Sequence, residues 1–150
     1  MNGSPTDARQ RNLEISRRLV ELYEREGPWA VERHFDEFFH PEFEWSPAVS
    51  ALGDRIYVGR DGYRSWQQDM EAIAEEALQF DFEVSAMDDR VVLVLSRMRI
   101  IGKGSGAPAE SEYGAVYEME DGRGVAGRAF LSHEEARRAA EAASRAPGAR

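Results

Sequence analysis

The 150-residue chain has no cysteine, which excludes disulfides, thiolate metal sites and cysteine nucleophiles. It has no apolar run near the roughly 18 residues that a membrane span requires. Met1–Arg9 also lacks the apolar centre of a secretory signal. Basic charge is in deficit: 28 acidic residues against 19 basic leave a net charge of −9, which would repel nucleic-acid phosphates over most of the surface. Together these absences predict a cytoplasmic protein that binds neither nucleic acid nor membrane. Histidine is scarce, and none of His34, His40 and His133 has a second histidine one helical turn away, so no metal and no cofactor is expected. Gly102–Gly106 lacks the lysine-serine ending of a phosphate loop and reads as a hairpin turn. What the chain does have is apolar material: at 42% hydrophobic residues it can build one core without a covalent staple.

Met1–Ala8 and Ser144–Arg150 read as flexible tails, leaving a single domain over residues 9–143. Ile15, Leu19 and Leu22 recur at helical spacing, and Gly27-Pro28 ends that helix and opens a second. The second carries Val31, Phe35, Phe38 and Phe39 on one face and stops at His40-Pro41. A short extended piece, Phe43–Ser46, follows, and Ala48–Arg55 reads as a loop. Asp61 is the expected N-cap of a third helix bearing Trp66, Met70, Ile73 and Ala77. The period then changes to two. Leu78, Phe80, Phe82 and Val84 predict a half-buried strand, Arg90–Ile101 and Glu110–Glu120 two more, and Asp121-Gly122 a tight hairpin into Val125–Leu131. Ser132 and Glu135 have capping-box spacing at the start of an alanine-rich last helix, whose alternating arginine and glutamate read as a solvated face. Helices set to one side of a largely antiparallel sheet predict an α+β fold. Because Arg90–Ile101 is apolar on both parities, the sheet must be covered on both faces. With the helices assigned to one face, the other is expected to meet a second copy of the chain in a homodimer.

Several of these segments resemble one family. Phe38–Trp45 is similar to the helix-then-strand opening of SnoaL-like members of the nuclear-transport-factor-2-like superfamily, the group of polyketide cyclases and ketosteroid isomerases. Tyr57-Val58-Gly59-Arg60-Asp61-Gly62 with Trp66 resembles the family's entry to helix three. Asp89–Val92, the turn at Asp121-Gly122 and Phe130–Ala136 resemble its C-terminal half. The resemblance spans about residues 10–142. It implies a cone-shaped α+β barrel, with a strongly curved mixed or antiparallel sheet wrapped around a long helix, an apolar pocket at the open end and a C-terminal helix. It also implies dimerisation through the outer sheet face.

The resemblance further implies where acid–base residues would stand, and at those places this chain is inert. The first-strand position aligns with Trp45 or Ser46, the late-strand position with Ala115, and the first-helix tyrosine with Leu19. No catalytic residue is therefore assigned. On Glu110–Glu120, Tyr113, Ala115, Tyr117 and Met119 share one face. If Ala115 faces the cone, Tyr113 and Tyr117 line it as hydrogen-bond donors to a carbonyl or as core aromatics with a polar tip. Arg97 and Arg99 continue an apolar parity and need a partner, either Glu112 or Glu118 across the strands or an anionic ligand. Asp69 reads as a solvated helix residue or a rim group. His40 is expected to act on its helix's C-terminal dipole.

Trp45, Tyr57, Trp66, Met70, Arg97, Tyr113 and Tyr117 are thus the candidate ligand-binding set. Two functions remain open. One is a binding protein or enzyme of cyclase, isomerase or dehydratase type for a small hydrophobic, carbonyl-bearing molecule. The other is a noncatalytic homodimeric protein-interaction module. An open chamber with converging polar groups favours the first, and a cone filled by Trp45, Trp66 and Met70 favours the second.

Overall fold

A computed structural model describes residues 5–48, 54–104 and 106–145. The elements run α1 (Pro5–Glu26), α2 (Pro28–Arg33), α3 (Phe35–Phe38), β1 (Phe39–Ser46), β2 (Tyr57–Val58), α4 (Gly59–Ile73), β3 (Ala74–Ala86), β4 (Val91–Gly102), β5 (Pro108–Glu120), β6 (Arg123–Phe130) and α5 (His133–Arg145). The strands form one curved, unclosed sheet in the order β2-β1-β6-β5-β4-β3. Among the described strands only β1 and β6 run parallel. This is the expected α+β cone. Its concave face holds α1 and α4, and the aromatic core of Phe35, Phe39, Phe43, Trp45, Tyr63 and Trp66 lies between them and the sheet.

Helix α1 begins at Pro5, inside the stretch read as a tail. The rest of both tails, 1–4 and 146–150, lies outside the described residues, as do Val49–Gly53 of the expected loop and Ser105 of the glycine run.

Other boundaries also differ from the sequence reading, and α5 runs to Arg145, inside the stretch read as the second tail. His34 interrupts the second helix and splits it into α2 and α3, and the chain is already extended at Phe39. Pro41 is tolerated in β1 because it falls where the pairing with β6 shifts register. At α4, the residue before the first turn is Val58, with no side-chain cap, and Asp61 lies within the first turn. Gly59 opens this helix with φ 70°, and a Cβ there would stand 2.8 Å from the Pro41 carbonyl oxygen. Finally, α4 ends at Ile73, so Ala77 belongs to β3.

In β3 the alternation is broken by a bulge. Phe80 pairs with Arg97 and Glu83 with Leu95, so two residues oppose Ser96, and Asp81 takes φ 55°. The bulge exchanges faces. Ala77 and Gln79 point inward before it, Phe82 inward after it, and Leu78 is left outside and 45% exposed.

The expectation that no helix covers the outer sheet face is corrected by α5. Val91, Leu93, Leu95 and Val116 pack against Ala136 and Ala140, so both faces of β4 are buried within one chain. The approach is close because Gly114 has no Cβ; one would lie 2.6 Å from that of Ala136. Ser132 caps α5 by accepting from the Glu135 amide at 3.2 Å. Asp121 (φ 52°) and Gly122 (φ 77°) make the tight hairpin, both left-handed as a type I′ turn requires.

Candidate functional site

The concave side of the sheet, α1, α2 and α4 line a cavity of about 100 Å³. Helix α4 presents Tyr63, Trp66, Gln67 and Met70 to it, residues that recur every three or four positions along one face. Helix α1 adds Ile15, Leu19 and Tyr23, and the strands add Trp45, Phe82, Met98, Tyr113, Ala115 and Tyr117.

Register explains how the aromatic wall is assembled. Trp45 and Tyr117 both pair with Gly127, one from each side. Their rings close over the bare glycine, 5.9 Å apart and 14° from parallel. Trp66 then meets Trp45 edge to face at 5.2 Å, with Tyr63 beside it at 5.3 Å.

Polar groups in this wall are few and uncharged. The described lining holds no carboxylate, histidine, lysine or arginine, and its titratable side chains are the phenols of Tyr23, Tyr63, Tyr113 and Tyr117. Burial pushes all four above the usual phenol range. Tyr113 is raised further by proximity to Tyr117, Tyr63 and Tyr23. A hydrogen bond from Gln67 opposes the shift at Tyr63. At Tyr23 the Gln79 amide does the same, donating to the hydroxyl at 2.9 Å. No hydrogen bond relieves the shift at Tyr113 or Tyr117. The indole N–H groups of Trp45 and Trp66 are buried without an acceptor.

Of the seven candidate residues, Trp45, Trp66, Met70, Tyr113 and Tyr117 line the cavity, and Tyr57 and Arg97 do not. The Tyr57 ring is in the core, but its hydroxyl donates to Asp69 Oδ2 at 2.7 Å. The same oxygen accepts from Arg55 at 2.9 Å. Burial first, and Asp69 second, push the Tyr57 phenol up to about 12. Asp69 is thus a structural partner of β2 and its approach. Arg97 lies on the opposite face of the sheet, 41% exposed, with Glu110 at 3.9 Å as its ion-pair contact. Arg99 approaches Glu76 at 3.5 Å.

The three inert positions are also resolved. Trp45, Ala115 and Leu19 all face the cavity, but Tyr23, one helical turn beyond Leu19, brings a phenol to the same wall. Tyr23 and Tyr63 are the phenols of the lining missing from the candidate set, along with apolar and amide residues such as Gln67, Phe82 and Met98. Spacing held the signal for both: Tyr23 is four residues after Leu19, and Tyr63 is three before Trp66.

The histidines serve structure. His34 Nδ1 lies 2.6 Å from Glu37. His40 belongs to β1 rather than a helix end, and its Nδ1 accepts from the Glu42 amide at 3.3 Å. His133 Nε2 bonds the Ser96 carbonyl at 2.7 Å, tying α5 to β4.

A curved, unclosed six-stranded sheet packed against helices is the cone fold of the NTF2-like proteins, among them the SnoaL-like ones. The chain belongs to the SnoaL-like family, whose sequence profile, described as the SnoaL-like domain, matches residues 17–126. Among similar solved structures is a candidate polyketide cyclase from Xanthomonas campestris pv. campestris. It is 18% identical with a TM-score of 0.67, and the match covers 85% of this chain and 95% of that one. An NTF2-like protein of unknown function from Burkholderia pseudomallei is also 18% identical, with a TM-score of 0.63 and coverage of 87% and 97%. A phenazine biosynthesis-related protein from Pseudomonas aeruginosa is 15% identical, with a TM-score of 0.62 and coverage of 91% and 88%. At these identities the likeness establishes the fold alone. Nothing among the curated proteins matches the sequence.

Proposed function

We propose that the chain binds a small hydrophobic molecule in the cavity beneath α4, with Trp45, Trp66, Met70, Tyr113 and Tyr117 as its principal contacts. One observation carries this reading: an apolar chamber whose described lining holds four phenols and no charged side chain. The chemistry such a lining can supply is polarisation of a carbonyl by a phenol O–H, with the cavity shape positioning the substrate. Tyr113 and Tyr117 are protonated near neutral pH, as any phenol is, and can donate there; their raised pKa values add nothing to that role. The raised values do disfavour a side-chain general base in the chamber. Toluene is expected to raise the Tm of the wild-type protein by binding the folded state. It should do so less in Ala115→Leu, whose extra carbons occupy the cavity. An unchanged wild-type Tm at saturating toluene would contradict the reading.

We also propose a homodimer through the part of the outer sheet face that α5 leaves open. Exposed Leu78 supports it, lying beside Phe80 with the Arg97–Glu110 and Arg99–Glu76 pairs adjacent. An interaction module, the second functional reading, would use the same surface. Sedimentation at micromolar concentration is expected to give twice the 16.9 kDa chain mass, and a monomer would remove the proposal. Among the described residues no helix is long and apolar enough to cross a membrane, and the cytoplasm is the proposed location.

A further inference from the structure

The geometry points to a neutral compound of one ring carrying an oxygen acceptor as the ligand of this chamber, with that oxygen received by the indole N–H groups of Trp45 and Trp66. The inference rests on the cavity being the binding site, and it adds a size and a polarity to that reading.

Size comes from the volume. The cavity measures about 100 Å³, whereas an engineered apolar cavity of about 150 Å³ admits benzene. Three methionines in the wall, Met70, Met98 and Met119, can change rotamer and supply the remaining space. A fused three-ring skeleton exceeds what three side chains can yield, and would have to displace α1 or α4.

Polarity comes from the unpartnered donors. Trp45 and Trp66 are 3% and 8% exposed, and a buried N–H without an acceptor is costly to maintain. Both residues line the chamber, and their edge-to-face contact keeps the two indoles side by side in its wall. Trp29 makes the contrast. Outside the lining, its N–H donates to Glu71 at 2.6 Å. The hydroxyls of Tyr113 and Tyr117, in the same lining, add two further donors. The other unpartnered buried atom, Asn12 Oδ1, is an acceptor on α1 outside the lining. With no cationic side chain in the described wall, a neutral carbonyl oxygen fits and a carboxylate does not.

Three probes test size and polarity separately on the full chain: acetophenone, its near-isostere α-methylstyrene, and the three-ring ketone 9-fluorenone. Affinities are measured by calorimetry. The three indole N–H resonances are followed by NMR, with the Trp29 signal assigned through Trp29→Phe. Acetophenone is expected to bind about tenfold more tightly than α-methylstyrene. It should shift the Trp45 and Trp66 indole protons downfield and leave Trp29 in place. Fluorenone should bind at least tenfold more weakly than acetophenone. Equal affinity for acetophenone and α-methylstyrene, with both indole signals unmoved, would overturn the acceptor while leaving the cavity as a binding site. Tighter binding of fluorenone would overturn the size. Failure of all three probes to bind would overturn the underlying reading together with this one.

Discussion

Trp45 and Tyr117 stack across Gly127, and the glycine is what lets them meet. A Cβ at position 127 would stand 2.9 Å from Trp45 Cε3 and 3.0 Å from Tyr117 Cδ1. Both are ring carbons locked in a packed wall, so neither can swing aside at low cost. Gly127→Ala is therefore expected to lower stability by about 1–3 kcal/mol through overpacking. It should also change the near-ultraviolet dichroism of the aromatic wall. Unfolding by denaturant checks the first effect and the spectrum the second; a wild-type value for both would show that the wall yields freely.

All five tyrosines of the chain have their phenols raised above the usual value of 10.0. Burial is the leading cause at each, with Asp69 adding to it at Tyr57. A group whose folded-state pKa is raised contributes stability that is complete below its unfolded pKa and declines as pH rises above it. The protein is thus expected to lose stability progressively above about pH 10. Tyrosinate absorbance should appear together with unfolding. A reversible titration of two or more tyrosines near pH 10 in the folded protein would contradict the burial described.

Glu32 acts in the opposite sense. Its carboxylate accepts from Arg60 at 2.8 Å and Arg64 at 3.2 Å, joining α2 to α4, and the Arg60 hydrogen bond chiefly holds its pKa below 4.5. A depressed folded-state pKa contributes stability above the unfolded value and loses it as pH falls through the folded one. Glu32→Gln is expected to be less stable than wild type at pH 7, with the gap narrowing below about pH 4.5. Thermal unfolding from pH 7 to pH 3 checks this, and a gap independent of pH would show that charge plays no part in the link.

Much of the architecture is legible in the residues, because the helical and strand periods are strong and the turn chemistry at Asp121-Gly122 and Ser132 is local. The failures share a cause. The alternation of Leu78, Phe80, Phe82 and Val84 looks like one buried face, but the bulge at Asp81 divides it, and a lone aspartate, though it tolerates a left-handed backbone, is too weak a signal to place a bulge. Ala74–Ala77 suits a helix by propensity and becomes strand by pairing with Ile100–Gly102, so tertiary context prevails over local preference. Helix α5 hides its contact with the sheet, because its buried stripe is made of alanines that read as helix propensity. It lies against the sheet only because Gly114 leaves room, which two separated segments must reveal together.

The site is legible in a similar measure. Tyr113 and Tyr117 reach the chamber because strand parity carries that far. Arg97 is carried to the other face by the same parity, since it follows Leu93 and Leu95 and these lie under α5. Tyr57 is lost to the site because Asp69, twelve residues on, claims its hydroxyl.

The central claim is that an apolar chamber stands open between the sheet and α4. Diffraction from a xenon-pressurised crystal tests it most directly, because xenon enters apolar cavities without needing a polar partner. One strong xenon site is expected among Trp45, Met70, Tyr113 and Tyr117. A crystal with no xenon there, and with Met70 and Met98 packed together across the space, would show a solid cone and contradict the chamber.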